Sequence, residues 1–147
     1  MIRILLADDH EIVRLILRQI IEKADDLQVI AMASNGQEAI NEATKHCPDV
    51  AVVDVSMPIM DGVEATRQIC ATCPKTHVLM VSTHNVPHHI RSAVEAGALG
   101  YILKDAVRHD LILAVRSVCQ GNRYFSKQIA ELAKLYIVQE KPVSRLR

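Results

Sequence analysis

The chain has 147 residues, half of them hydrophobic, and a formal net charge of zero at pH 7. That length suits one domain whose apolar core needs no disulfide or structural metal. A net charge of zero argues against a domain that itself binds nucleic acid, because neutralising phosphates requires clustered Lys and Arg. No apolar run reaches the roughly 18 residues that a membrane span requires. We therefore expect a cytoplasmic protein with no signal peptide and no membrane partner.

The cysteines are even in number, at Cys47, Cys70, Cys73 and Cys119. A chain of this size with an ample core does not need cross-links, so we interpret them as free thiols of a reducing compartment. Cys70 and Cys73 form a CxxC pair, which is compatible with a redox site or half a zinc site. No second CxxC completes such a site, and we favour the free thiols.

Short apolar runs recur along the chain at residues 2–7, 27–33, 50–53, 77–81 and 99–103. They are continuous rather than alternating, which is typical of strands covered on both faces, as in a parallel sheet between helices. The runs therefore predict five buried parallel strands.

Amphipathic segments separate these strands. Asp61 predicts the N-terminal cap of a helix over 62–72, which ends before Pro74. Further helices follow from apolar residues at helical spacing. Their predicted inner faces are Ile12, Leu15, Ile16 and Ile20; Ala39, Ile40 and Ala43; Ile90, Ala93 and Val94; and Leu111, Ala114, Val115 and Val118.

Strict alternation of strands and helices with short connections predicts right-handed crossovers and an α/β fold. We expect a doubly wound, five-stranded parallel sheet with helices on both faces, flavodoxin-like with strand order 2-1-3-4-5. In such sheets ligands bind in a crevice at the carboxyl ends of the strands.

Polar side chains stand where the predicted strands end. Taken singly, each has a plain structural role as a helix cap or a solvated surface group. Together they place three carboxylates in one crevice, where crowded carboxylates raise one another's pKa unless a cation lies between them. The residues are Asp8 and Asp9 after the first strand, Asp54 after the third, Ser82 or Thr83 after the fourth, and Lys104 after the fifth.

Oxygen ligands of this kind suit Mg²⁺, which typically takes one or two carboxylates plus a phosphate oxygen. We predict Asp9 and Asp54 as direct ligands, Asp8 as a ligand through water, and the backbone carbonyl of Ser56 as a further ligand. The sequence therefore predicts a magnesium site.

A phosphoryl group at such a site needs donors for its remaining oxygens. The Lys104 ammonium and the Ser82 hydroxyl are donors of suitable kinds. Asp54 is then the in-line nucleophile, and an ionised carboxylate needs no general base.

Four ordered motifs carry a family resemblance: LLADDH, VVDVSMPIMDG, VST and AGALGYILKDA. Over positions 1 to about 126 the chain resembles the receiver domains of two-component response regulators. The resemblance implies that a sensor histidine kinase phosphorylates Asp54 and that Ser82 and Lys104 respond to the phosphate. It also implies a regulatory domain that catalyses only its own phosphorylation and dephosphorylation.

Two assignments rest on that resemblance. It favours Ser82 over the adjacent Thr83, because the family's switch hydroxyl directly follows the fourth strand. It also matches Tyr101 to the family's switch aromatic, which rotates inward on phosphorylation. The alternative for Tyr101 is a strand aromatic packed on a neighbouring helix.

The runs GYILKDA and AVRSVCQGNRYFS resemble the NarL/FixJ subgroup, whose members usually continue into a LuxR-type helix-turn-helix domain. We predict a receiver over 1–122, and over 123–147 a helix at 127–138 followed by a polar linker toward a DNA-binding domain absent from this chain. The resemblance implies a homodimer on activation and DNA contact only through that absent domain.

Departures from the family pattern are Asp105, where many receivers have Pro, and Ser56 and His84 near the phosphorylation site. Ser56 and His84 either gate the attacking water, and so set phosphate lifetime, or are rim residues without a special role. Two other functions stay open: a stand-alone signalling module, and a hydrolase of the aspartyl-phosphate class. That class has a second Asp where this chain has Ser56.

Overall fold

The computed structural model describes residues 1–83 and 86–145, with side chains described through residue 137. All strands within these residues belong to one sheet, in which every pairing is parallel. The strands are β1 (Ile2–Ala7), β2 (Leu27–Ala33), β3 (Val50–Asp54), β4 (His77–Ser82), β5 (Gly100–Leu103) and β6 (Tyr124–Phe125).

The sheet order is β2-β1-β3-β4-β5-β6, which confirms the predicted doubly wound fold with strand order 2-1-3-4-5. The strand β6 is an addition, pairing Tyr124 with Gly100 and Phe125 with Tyr101. Two residues are too few to carry a periodic pattern, which is why the sequence did not predict this strand.

Helices follow each of the first five strands, and one more follows β6. The helices are α1 (Glu11–Ile21), α2 (Gly36–His46), α3 (Gly62–Thr72), α4 (Pro87–Ala96), α5 (Val107–Cys119) and α6 (Ala130–Arg145). None of these helices, within the described residues, is long and apolar enough to cross a bilayer.

Apolar clusters cover both faces of the sheet. On one face residues of α2, α3, α4 and α6 pack on the strands, and on the other face residues of α1 and α5 do so. The buried strands β3 and β4 contribute to both clusters, as expected for continuous apolar runs.

The predicted inner face of the first helix is wrong. Ile12, Leu15 and Ile16 are 72 %, 47 % and 38 % exposed, although Ile20 is buried. The helix turns another apolar stripe inward, which consists of Val13, Leu17, Ile20 and Ile21. Because α1 carries two apolar stripes, its periodicity alone did not decide which one faces the sheet.

The C-terminal helix α6 begins at Ala130, and its backbone stays helical to Arg145, through residues expected to form a linker. Polarity alone does not end a helix, because Gln, Glu and Lys are good helix formers. Its apolar residues face the core: Ala133 and the preceding Ile129 are fully buried, and Leu132 and Tyr136 pack against the same cluster.

Candidate functional site

The carboxyl ends of β1, β3, β4 and β5 meet at one edge of the sheet. Asp54 ends β3 and Ser82 ends β4, while Asp8 directly follows β1 and Lys104 directly follows β5. Since β3 lies between β1 and β4, these side chains converge on one crevice, as the strand-end argument predicts.

Carboxylates crowd the floor of this crevice. One ligand atom from each of Asp8, Asp9, His10 and Asp54 lies within 4.8 Å of the others. Asp8 and Asp54 are 1 % and 5 % exposed, whereas Asp9 is open to solvent. The arrangement is an acidic pocket with a buried floor and an open rim.

Lys104 reaches across the sheet into this pocket. Its Nζ lies 2.8 Å from Oδ2 of Asp8 and 3.3 Å from Oδ2 of Asp54. Partial burial alone would lower the pKa of Lys104, but its ion pairs with the two carboxylates outweigh burial and hold that pKa above its usual value. The ammonium is therefore charged at neutral pH.

Burial raises the pKa of Asp54 above its usual value, because the charged form loses water. The Lys104 ammonium opposes this shift, and the neighbouring Asp8 carboxylate adds to it. The Ser56 N–H donates to Oδ1 of Asp54 over 3.4 Å. Asp54 is thus a poorly solvated carboxylate, which binding of a further cation would stabilise as the anion.

The residues present fit a divalent cation. Among the described side chains, Oδ2 of Asp8 is buried without an aligned hydrogen bond, although the Lys104 ammonium lies beside it as an ion pair. The donor set is dominated by carboxylate oxygen, which Mg²⁺ prefers. Asp8, Asp9 and Asp54 are therefore suitable ligands for such an ion.

A tight backbone approach holds Asp54 in place. Asp61 caps α3 by accepting a hydrogen bond from the Glu64 N–H, and the Gly62 N–H donates to the Val55 carbonyl over 2.8 Å. A Cβ on Gly62 would lie only 1.9 Å from the Asp54 backbone oxygen. Glycine at this position is therefore what allows α3 to start directly against the end of β3.

The structure separates the two adjacent hydroxyls after β4. Ser82 is fully buried, whereas Thr83 is exposed. Tyr101 is also fully buried, and its hydroxyl forms a hydrogen bond with Ser82. Burial raises the pKa of the Tyr101 hydroxyl, so it stays protonated and can act as a donor or an acceptor.

Tyr101 belongs to the same apolar cluster as Ile90 of α4 and Ala133 of α6. Both expectations for this residue, a switch aromatic and a strand aromatic packed on a helix, are compatible with that position. Ser56 lies on the rim of a cavity between α3 and α4, together with Asp61 and His88. His84 lies outside the described residues.

Sequence reasoning did not single out His10, which follows the acidic pair. Its Nδ1 lies 3.2 Å from Oδ1 of Asp8 and 3.1 Å from Oδ1 of Asp9, and the side chain is 66 % exposed. The His10 N–H also donates to Asp8 over 2.8 Å. Direct adjacency to Asp8 and Asp9 in LLADDH is the signal that could have included it.

The thiols take no part in this pocket. Cys47, Cys70, Cys73 and Cys119 are all free, and Cys73 is buried at the end of α3. Burial raises the pKa of the Cys70 thiol, which lowers its reactivity. The predicted free thiols are therefore present.

Known response regulators are similar to this chain in sequence. UvrY of Escherichia coli (strain K12), named a response regulator, is 37 % identical over 145 residues, which make up 98 % of this chain and 66 % of UvrY. The transcriptional regulatory protein LnrK of Bacillus subtilis (strain 168) is 40 % identical over 121 residues, covering 82 % of this chain and 55 % of LnrK. The chain thus spans less than two thirds of the length of these relatives.

A solved structure has the same fold along its whole length. It is a LuxR-family two-component response regulator from Aurantimonas sp. SI85-9A1, similar to this chain with a TM-score of 0.87 and 33 % sequence identity, over 94 % of this chain and 99 % of that one. The sequence model of the response regulator receiver domain matches residues 4–116, well over half of the chain. The chain therefore belongs to the response regulator receiver domain family.

Proposed function

We propose that this domain accepts a phosphoryl group on Asp54 from the phosphohistidine of a sensor histidine kinase. The observation that carries the proposal is the geometry of Asp54: a carboxylate 5 % exposed at the end of β3, with the Lys104 ammonium 3.3 Å away. A buried, ion-paired carboxylate at a strand-end crevice is suited to nucleophilic attack on phosphorus.

In the transfer, an Asp54 carboxylate oxygen forms a bond to phosphorus while the bond from phosphorus to the donor nitrogen breaks. The bonding electron pair leaves with that nitrogen, so no proton has to be removed from Asp54. Lys104 neutralises charge on the phosphoryl oxygens as the group arrives. Positioning and charge neutralisation account for most of the catalysis of such a loose transition state.

Asp9 and Asp54 would hold a Mg²⁺ ion directly, with Asp8 acting through water and the Ser56 carbonyl as a further ligand. When bound, Mg²⁺ neutralises phosphoryl and carboxylate charge that Lys104 alone leaves unbalanced. Asp8 also keeps Lys104 extended across the sheet through its 2.8 Å ion pair.

Ser82 and Tyr101 are proposed as the residues that respond to the phosphate. Ser82 is buried next to the Asp54 strand and bonded to Tyr101, so a Ser82 hydroxyl that turns toward the phosphate changes the partner of Tyr101. A shift from about 1 % to about 99 % active needs roughly 5.5 kcal/mol of preference. One phosphate is therefore expected to shift the population only in part unless dimerisation assists it.

The phosphate is lost when water attacks phosphorus and the bond from phosphorus to the Asp54 oxygen breaks, which releases inorganic phosphate and restores the carboxylate. Ser56 lies on the cavity rim beside Asp61 and His88, where a side chain can admit or exclude that water. We infer that Ser56, and His84 as a further candidate, set the rate of this self-catalysed dephosphorylation.

The proposed partner of the activated domain is a second copy. Ile12, Leu15 and Ile16 form an exposed apolar stripe on α1, called here the α1 patch, and Leu113 on the neighbouring α5 is 53 % exposed. Exposed apolar side chains that share a helix face are typical of a protein interface. The α1 patch therefore supports homodimerisation through the α1 side of the sheet.

We propose that this domain regulates transcription through a LuxR-type DNA-binding domain outside this chain, and that residues 123–147 connect the two domains. A response regulator and a transcriptional regulatory protein among the relatives support this inference, and both are longer than the matched region. DNA would be contacted through that domain alone, and we propose a cytoplasmic location for the protein.

The test is addition of acetyl phosphate with Mg²⁺, followed by intact mass and sedimentation. We expect a gain of about 80 Da on the wild type and on Asp25→Asn, an exposed control, but not on Asp54→Asn. A shift to dimer that tracks the modified fraction would support the transcriptional role over a stand-alone module. Unchanged mass in all three proteins would refute the phosphoacceptor proposal, and multiple turnovers of a simple phosphomonoester would favour a hydrolase.

A further inference from the structure

A buried hydrogen-bond chain ends next to Lys104 and is not used by the proposed chemistry. The Ser126 side chain is fully buried. Its Oγ accepts a hydrogen bond from the Leu103 N–H over 3.0 Å and donates to Oδ2 of Asp110 over 3.2 Å. The Tyr124 hydroxyl donates to the other Asp110 oxygen over 2.8 Å.

The same serine also holds β5 through its backbone. The Ser126 N–H donates to the Tyr101 carbonyl over 3.1 Å, so Ser126 bonds β5 on both sides of Ile102. The ladder between β5 and β6 ends with the pair Tyr101 and Phe125. Beyond that pair, the Ser126 side chain takes the place of the next strand residue as a partner for Leu103.

Leu103 is the residue from which Lys104 projects. On its other side Leu103 pairs with Ser82 of β4, and a short 3-10 turn over Lys104–Ala106 begins directly after it. The bond from Leu103 to Ser126 therefore fixes the last strand residue before Lys104. It sets the point from which the Lys104 side chain extends to Asp8 and Asp54.

Because Asp105 follows Lys104, the hydrogen bond from Leu103 to Ser126 is a needed restraint on the end of β5. A Pro after Lys104 would restrict the backbone of Lys104 itself, because the ring excludes the helical region for the preceding residue. Asp105 imposes no such restriction. In this chain the restraint on the end of β5 comes from outside the loop, through Ser126.

Asp110 and Tyr124 keep the Ser126 hydroxyl oriented. Asp110 is 7 % exposed, and each of its carboxylate oxygens accepts one hydrogen bond, from Tyr124 or from Ser126. The Ser126 hydroxyl proton therefore points to Asp110, and the lone pairs of the same hydroxyl oxygen can accept from the Leu103 N–H. Burial, together with the hydrogen bond to Asp110, raises the pKa of Tyr124 to about 12, so its hydroxyl stays a donor. The donor and acceptor roles in this series of hydrogen bonds are therefore fixed by Tyr124 and Asp110.

We propose that Ser126, oriented by Asp110 and Tyr124, is a positioning residue for Lys104 in phosphoryl transfer. The inference rests on the proposed function of Lys104 at Asp54. Ser126 and Tyr124 lie beyond residues 4–116, the range matched by the receiver domain model. The segment after α5 thus completes the phosphorylation site, in addition to leading toward the rest of the protein.

The test compares phosphorylation by acetyl phosphate, followed by intact mass, in Ser126→Ala, Ser126→Thr and the wild type. We expect Ser126→Ala to react about tenfold more slowly, less than the roughly 100-fold that a 1 Å misplacement of a reacting group can cause. Ser126→Thr keeps the hydroxyl and is expected to recover most of the rate. Tyr124→Phe, which removes one partly buried hydroxyl, should give a smaller loss and serves as a second variant if Ser126→Ala folds poorly.

A double-mutant cycle separates positioning from general destabilisation. If Ser126 acts through Lys104, Ser126→Ala slows the reaction in the wild type but adds little to Lys104→Ala. All rates are measured where circular dichroism gives each variant a fully folded signal. Equal fold losses in both backgrounds, or a wild-type rate in folded Ser126→Ala and Tyr124→Phe, would overturn the inference. A wild type that is not modified at Asp54 would instead refute the proposed function.

Discussion

The ammonium of Lys104 lies 2.8 Å from Oδ2 of Asp8, whose side chain is 1 % exposed. This ion pair joins the ends of β5 and β1, which are separated in the sheet by β3 and β4. The Lys104 ammonium is thus a cation that the protein itself supplies to the acidic pocket, and it neutralises part of the negative charge of Asp8 and Asp54. A divalent metal would share those carboxylates with it.

Removing this cation should weaken the fold and strengthen metal binding. For Lys104→Met we expect a loss of about 2–3 kcal/mol in the free energy of unfolding without metal, slightly below the range for fully buried pairs because the Lys104 side chain is 17 % exposed. Added Mg²⁺ should then stabilise the variant more than the wild type, since no ammonium competes for the carboxylates. Urea unfolding with EDTA and with Mg²⁺ measures both effects.

Lys134 provides the matched control for that experiment. It pairs with Glu131 at 3.5 Å, and both side chains are exposed, so Lys134→Met should change stability by no more than about 0.5 kcal/mol. The same Mg²⁺ response in the two variants would contradict the assignment of Lys104 as the pocket's own cation.

The raised pKa of Asp54 predicts that its charge opposes folding when no metal is present. Because this pKa is higher in the folded than in the unfolded protein, the folded state holds more protons between the two values, and stability falls as pH rises through that window. Asp54→Asn should therefore be more stable than the wild type at pH 7 in EDTA. Its advantage should shrink as pH falls through the raised pKa of Asp54 toward 3.8, the usual Asp value, because a growing fraction of wild-type Asp54 is then protonated.

Denaturant unfolding at several pH values tests this prediction, with Asp25→Asn as an exposed control that should follow the wild type. Saturating Mg²⁺ should reduce the advantage of Asp54→Asn, because the metal stabilises the ionised carboxylate. An Asp54→Asn variant less stable than the wild type at pH 7 in EDTA would mean that the ion pair with Lys104 outweighs the burial of Asp54.

The contact between Gly62 and the backbone of Asp54 predicts a severe defect in Gly62→Ala. The new methyl group would lie 1.9 Å from the Asp54 carbonyl oxygen, which is backbone and can move only if the end of β3 moves with it. We expect a loss of about 3 kcal/mol or more in unfolding free energy, at or above the usual range for overpacking. Any folded fraction should be phosphorylated slowly, because Asp54 has to shift.

Gly121→Ala is the control for that substitution. Nothing lies within 4 Å of a Cβ at Gly121, and its φ of +84° is strained for alanine, so the loss should be about 1–2 kcal/mol from backbone strain alone. Phosphorylation of Gly121→Ala should proceed at the wild-type rate. Similar stability losses in the two variants would argue against the collision at Gly62.

The α1 patch predicts a class of variants that fold normally but do not pair. Ile12→Lys should change unfolding free energy by at most about 0.5 kcal/mol, because Ile12 is 72 % exposed. In the presence of beryllofluoride and Mg²⁺, however, it should stay monomeric when the wild type dimerises, since a lysine would be desolvated in an apolar interface. Sedimentation velocity measures the outcome.

Leu135→Lys is the comparison, because Leu135 is 58 % exposed on α6, away from the α1 patch. This variant should dimerise like the wild type. If Leu135→Lys blocks pairing and Ile12→Lys does not, the dimer uses the α6 side of the sheet and the α1 assignment is wrong.

The sequence by itself determined the strands and the residues that meet in the acidic pocket at their carboxyl ends. Continuous apolar runs end in Asp8, Asp54, Ser82 and Lys104, and parallel strands deliver the residues at their carboxyl ends to one edge of the sheet. The position of each side chain therefore follows from where a run of buried residues stops. Asp61 likewise predicted the start of α3, because a helix cap is a local interaction.

The tertiary structure decided the rest, where local patterns allow more than one outcome. Helix α1 carries two apolar stripes, and only packing against the sheet selects the one with Leu17 and leaves Ile12 outside. The bonds from Ser126 to Leu103 and Asp110 join positions 23 and 16 residues apart in the chain. Hydrogen bonds over such separations leave no periodic signal in the sequence, because they depend on how β6 and α5 meet at the end of β5.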